Sequence, residues 1–383
     1  MSEHRTFRTI LLLGALVLAS AIGLKMFRSD RLAVTSDPSE DKASTGPPQE
    51  PMVPRPPPFP QRIAARPDPA PPPAPESNMQ QMLRGQAGPP QIPREDIEKH
   101  LEQSRRSGAS LLAAFAASGA TAYLKEAATR FPNDSRVQLA VLMNNTFPEE
   151  QRQWLDGFKA SAPDNSLANY LSALDYFRNG QFEPGINELL AAAGRTRFEP
   201  YTFEGMLDMQ ELLLMTGKSP AEAKVSSMLG ASFPHLAQMR QLSAAMAEMQ
   251  SQYRAAGDTA SFEAMTALGL GLADRLNGPA GGKCIIDQLV GIAIESQFLK
   301  SYDPASTPEF LGKSVQARLE ELAQQKADVK KLAPLVSAYL PSASEAELIS
   351  YFDRLKLQGE MEALRWLQSR LGLTNSQGVS SGP

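Results

Sequence analysis

The side chains best able to bind a metal or move a proton in this 383-residue chain are His4, His100, His235 and Cys284, and their spacing joins no two of them. Zinc-binding histidines recur at H-E-x-x-H spacing on one helix face, and zinc-binding cysteines come in clusters. Here the histidines stand far apart, so His100 and His235 read as packed or solvated helix positions. Cys284 is the only cysteine, which excludes an intrachain disulfide and a cysteine-rich zinc site. A lone thiol is compatible with either side of a membrane.

The neighbouring acids Glu149-Glu150 and Glu320-Glu321 fit helix first turns and solvated faces better than a catalytic carboxylate pair. The run Gly278-Pro279-Ala280-Gly281-Gly282-Lys283 has the composition of a phosphate loop but lacks its spacing and any preceding strand, so it reads as a turn opening a helix. No catalytic, cofactor-binding or metal-binding residue is expected, and no small-molecule substrate. Eight of the 15 methionines lie between Met206 and Met265. Core packing is the first reading of that cluster, an adaptable protein-binding groove the second and soft-metal ligation the third. Trp154, Tyr170 and Tyr176 are the candidate partner-binding residues, with helix-pair packing as the competing use of Tyr176.

The elements that must position these residues are helices. From residue 94 onward the chain is rich in Ala, Leu, Gln, Glu and Met and lacks alternating runs of Val, Ile and Thr, so an all-α fold is expected. Helices of about a dozen residues alternate with turns such as Gly119, Asn179-Gly180-Gln181, Gly217-Lys218-Ser219 and Gly257-Asp258, and short links force antiparallel neighbours. Phe131-Pro132-Asn133-Asp134-Ser135 recurs 31 positions later as Ala162-Pro163-Asp164-Asn165-Ser166, each copy closing one helix and capping the next. In Pro234–Ala256, Met239, Leu242, Met246, Met249 and Tyr253 form a narrow apolar seam, and Val315, Leu319, Leu322, Val329 and Val336 form another.

The stretch Ser166–Gly194 places small Ala173 and aromatic Tyr176 on one helix, Gly180 at a turn, Phe182 beyond it, and Ile186, Leu189 and Ala192 on a second helix. It resembles a tetratricopeptide-type (TPR-like) unit, departing from it at Asn169, Gly185 and Arg197. The resemblance implies a TPR-like α-α superhelix, a solenoid of antiparallel helix pairs, and the family's common role in binding other proteins. Residues 94–217 are read as these repeats and residues 218–373 as a C-terminal helical subdomain, with a disordered tail at 374–383.

Ahead of the helices stands an isolated apolar run. Thr9–Phe27 holds 19 residues, roughly 28 Å of helix and close to the about 30 Å of a bilayer core. After an N-terminal tail of residues 1–8, residues 9–27 are read as a transmembrane signal-anchor. A cleaved signal peptide ending at Ala19-Ser20-Ala21 is the alternative, and apolar character continuing through Ile22, Leu24, Met26 and Phe27 favours retention. Residues 28–93 read as a disordered proline-rich linker, since 18 of the 31 prolines fall between Pro38 and Pro93. The formal net charge is -4, and residues 94–383 are mildly acidic, which disfavours nucleic acid as a partner.

The expected function is a membrane-tethered scaffold or adaptor for a protein or peptide partner, without enzymatic activity. The alternatives are a self-assembling envelope protein and, third, an enzyme on an all-α fold. A short N-terminal tail before a long polar domain favours export of that domain, across an inner membrane if the resemblance to bacterial helical-repeat proteins holds. Secretion after cleavage is the other outcome.

Overall fold

The computed structural model describes residues 77–278 and 282–370, and these form helices and turns with a single isolated bridge between Asn165 and Arg197. The expected anchor at Thr9–Phe27, most of the linker and the tail at 374–383 lie outside the described residues. Among the described residues no helix is long and apolar enough to cross a membrane.

Residues 77–93 correct the linker boundary. Between Pro75 and Pro89 the sequence is free of proline and sets Met79, Met82 and Leu83 at helical spacing. Ser77 caps this helix in a reciprocal box with Gln80, giving α1 (Asn78–Leu83). Met82 is fully buried, in one apolar cluster with Val225, Leu229 and Leu340. Burial of two large side chains outweighs the linker-like composition around them.

The next helices form hairpins. After α2 (Arg94–Gln103), α3 (Gly108–Ser118) pairs with α4 (Thr121–Arg130), α5 (Ser135–Met143) with α6 (Gln151–Ser161), and α7 (Ser166–Arg178) with α8 (Phe182–Ala193). The two expected caps form: Asp134 accepts from the N–H of Arg136 and Val137, and Asn165 accepts from that of Leu167. Asn165 also donates to the Glu199 carbonyl at 2.8 Å and accepts its N–H at 2.9 Å, while the Arg197 carbonyl accepts from Ser166. The strap after α8 is thereby sewn to the start of α7.

Beyond this point the helices stop following a nearest-neighbour order. α9 (Thr202–Met215) pairs with α10 (Pro220–Leu229) but also returns to lie on α3. α11 (Pro234–Ala255) packs on α7 and on the hairpin of α12 (Thr259–Asn277) and α13 (Ile285–Leu299). α14 (Val315–Tyr339) leads to α15 (Glu345–Gln358) and α16 (Glu360–Arg370), and α15 closes onto α10. In a solenoid each unit contacts only its neighbours. Here long-range returns make a closed helical domain, and no repeat is identified along it.

The largest apolar cluster runs from Leu139 to Phe298 and crosses the boundary expected at 217/218. The α11 seam lies within it, with Met239, Leu242 and Met246 fully buried. A second cluster joins α1, α10, α15 and α16, and a third joins α2 to α5.

Candidate functional site

The return of α9 onto α3 leaves a cleft of about 200 Å³, walled by α3, α5, the first two turns of α9 and the connector from α10 to α11. Its floor is apolar, with Phe115, Leu139, Met143, Met206 and Met209 among the lining residues. Gly205 lies at its exposed edge, where a side chain would meet no atom within 4 Å.

Polar groups sit at the wall. Arg136, in the first turn of α5, pairs through Nη2 with Asp208 of α9, and its buried Nε has no hydrogen-bond partner. The Ser135 hydroxyl donates to Tyr201 Oη at 2.9 Å. Tyr201 is the N-cap residue of α9 and has a φ of +55°, a region that bulky side chains rarely occupy. Its ring lies 6.5 Å from that of Phe158, and its N–H donates to the Glu199 carboxylate at 3.0 Å. The backbone there is held by packing on one side and hydrogen bonds on the other, as a strained backbone position requires. Burial, with the charge of Glu204 beside it, raises the Glu199 carboxyl above the usual range.

His235 reaches the cleft from the first turn of α11. It is 2 % exposed, between the rings of Phe198 and Phe233 at 6.1 and 6.3 Å. Its Nε2 lies 3.4 Å from Asp287 Oδ1, and neither atom makes a hydrogen bond among the described residues.

The three residues singled out from sequence are not brought together, and none lines the cleft. Trp154 is half-buried, stacked on Phe147 at 5.7 Å, with its indole N–H donating to Glu150. Tyr170 is 2 % exposed and packs 6.3 Å from Phe198, so it serves the core and offers no surface; burial pushes its hydroxyl up to about 12. Tyr176 is half-buried beneath the Arg152 guanidinium, 4.0 Å above its ring. An aromatic on an amphipathic helix scores equally as core or as anchor, and only the neighbours decide.

The other sequence candidates resolve similarly. His100 is buried at 4 %, and no group of three His, Cys, Asp or Glu side chains able to hold a metal occurs among the described residues. Glu150 bonds Trp154, and Glu321 pairs with Lys313 and Arg318. Burial pushes the Cys284 thiol far above its ordinary value, which keeps it protonated and unreactive. Of the methionine cluster, Met239, Met246 and Met265 are core, while Met206 and Met209 line the cleft. The sequence signal nearest to the cleft was that cluster, whose second reading was an adaptable binding groove; Gly205 carried no sequence signal.

No family model matches the chain, and no curated protein or solved structure does.

Proposed function

We propose that this chain is a membrane-tethered adaptor whose helical domain docks a short segment of a partner protein, with one large apolar side chain seated in the α3–α5–α9 cleft. The observation that carries this reading is the size and chemistry of the cleft. Small-molecule sites span about 300–1,000 Å³. A cleft of about 200 Å³ with a methionine and leucine floor suits a single anchor side chain of a peptide. The Arg136–Asp208 pair stands at the cleft wall, where a peptide backbone would need polar partners. The tetratricopeptide likeness of Ser166–Gly194 supports the same class of role, as does an apolar segment at Thr9–Phe27 to fix one end of the chain.

Gly205 separates binding from folding. A glutamine there closes the mouth of the cleft against no neighbour, and glycine inside a helix is destabilising by about 0.5–1 kcal/mol relative to alanine, so the variant should be at least as stable as the wild type. Displayed peptide libraries selected on the wild-type protein should yield sequences sharing a large apolar residue, and Gly205→Gln should lose them at unchanged melting temperature. Peptides that bind both proteins equally would sink the reading.

A further inference from the structure

The buried polar groups that the cleft does not use gather where α11, α13, α15 and α16 meet. Glu360, the first residue of α16, is 6 % exposed, and its Oε2 accepts the Ile285 N–H at 2.8 Å. The Glu360 N–H donates in turn to the Lys283 carbonyl at 2.8 Å, so side chain and backbone of one residue grip the connector from α12 to α13 at two points. Lys283 Nζ returns a third bond, to the Lys356 carbonyl at 3.1 Å. Gly359, with φ at +92°, lets the turn approach closely: a Cβ there would stand 3.3 Å from the Lys283 carbonyl oxygen.

The clamp is mechanically tight and electrostatically poor. Facing Glu360 from α13 is Asp287, whose charge opposes a second buried negative charge. The connector offers Cys284 and α15 offers Tyr351, both held neutral by burial, and the Tyr351 hydroxyl makes no hydrogen bond among the described residues. Lys283 turns its ammonium to Lys356 and the Phe203 ring, and His235 lies on the far side, towards Asp287. α14 meets this end of the domain through apolar Val329 and Leu332. Among the described residues no salt bridge to Glu360 is formed, and its one charge-stabilising bond there is the Ile285 N–H.

We infer that Glu360 and the α12–α13 connector form a pH-sensitive latch, closed while the buried carboxyl is protonated and weakened as it ionises, which releases the α15–α16 hairpin above neutral pH. The direction follows from linkage. Burial, with Asp287 beside it, pushes the closed-state carboxyl up to about 7, whereas in an opened, solvated hairpin it returns to the ordinary carboxylate range. A carboxyl raised in the closed state binds its proton more tightly there, so closure is favoured at low pH and lost as pH rises towards and through 7. The latch stands apart from the docking reading, because neither its geometry nor its test involves a partner.

Hydrogen exchange on the full chain, corrected for intrinsic amide rates, reads the opening of residues 345–370 directly. Between pH 6 and pH 8 the opening equilibrium of this hairpin should rise roughly tenfold, while α3 and α4 change little. Glu360→Gln should abolish that rise. A wild-type change under about twofold, or a tenfold rise retained in Glu360→Gln, overturns the latch. Should Glu360→Gln fail to fold, Asp287→Asn takes its place: without the opposing charge the closed-state carboxyl ionises more easily, so the rise in opening between pH 6 and pH 8 should shrink, and an undiminished rise counts against the inference.

Discussion

Gly185 shows how a single residue departs from a familiar pattern for a physical reason. Where the tetratricopeptide unit prefers alanine, this chain has glycine, and a Cβ there would lie 2.3 Å from the Phe177 ring. The α7–α8 pair is therefore closer than alanine permits, and Phe177 fills the space while also meeting Phe182 at 6.2 Å. Asn169, another departure, donates to Glu188 at 2.7 Å, and Ser172 and Lys159 bond the same carboxylate. A polar seam stands there in place of an aromatic plug. Gly185→Ala should destabilise the domain by about 1–3 kcal/mol, the usual range for overpacking, read as a lower denaturant midpoint at unchanged slope. An unchanged midpoint would show that Phe177 has room to swing away.

At the scale of elements, the helices were legible because their ends are chemically marked. Thr259–Asn277 begins after Asp258, which accepts from Ser261, and the helix at Glu345 begins with a Ser344–Glu347 capping box. That box, with Tyr339 also donating, lowers the Glu347 carboxyl to about 2. α1 has such a marker too, the Ser77–Gln80 box, but it is only 6 residues long among prolines, and its burial against α10 is what holds it in place. The α11 seam was read from a 3-4-3-4 spacing, and its residues are the centre of the largest cluster. Met239→Ala should lower stability by about 2–5 kcal/mol, because a fully buried side chain leaves a cavity that its rigid neighbours cannot fill. Urea unfolding of the variant measures this, and a loss below about 1 kcal/mol would mean that the seam collapses around the gap.

For the whole molecule, the domain closes on itself by non-sequential contacts: α9 on α3, α11 on α7 and α15 on α10. The return of α9 onto α3 makes the cleft, and a further non-sequential contact, Glu360 of α16 on the α12–α13 connector, makes the clamp. The proposed membrane anchor acts at the same scale. If Thr9–Phe27 is retained, the intact mass of the protein recovered from the membrane fraction should include residue 9. A protein beginning after Ala21 and released from membranes by a salt or carbonate wash would show a cleaved leader instead.

The sequence by itself determined the all-helical class, the placement of most helices, the two recurring caps and the seam, because propensity, capping and apolar spacing act over a few residues and are written locally. It also carried the apolar character of Thr9–Phe27 and the density of prolines behind it. Only the tertiary structure decided that Tyr170 is core, that α9 returns to α3, and that Glu360 meets Ile285 across 75 positions. Such pairings depend on how whole faces fit once the helices exist, and helical periodicity tells which face is apolar but not which partner will cover it.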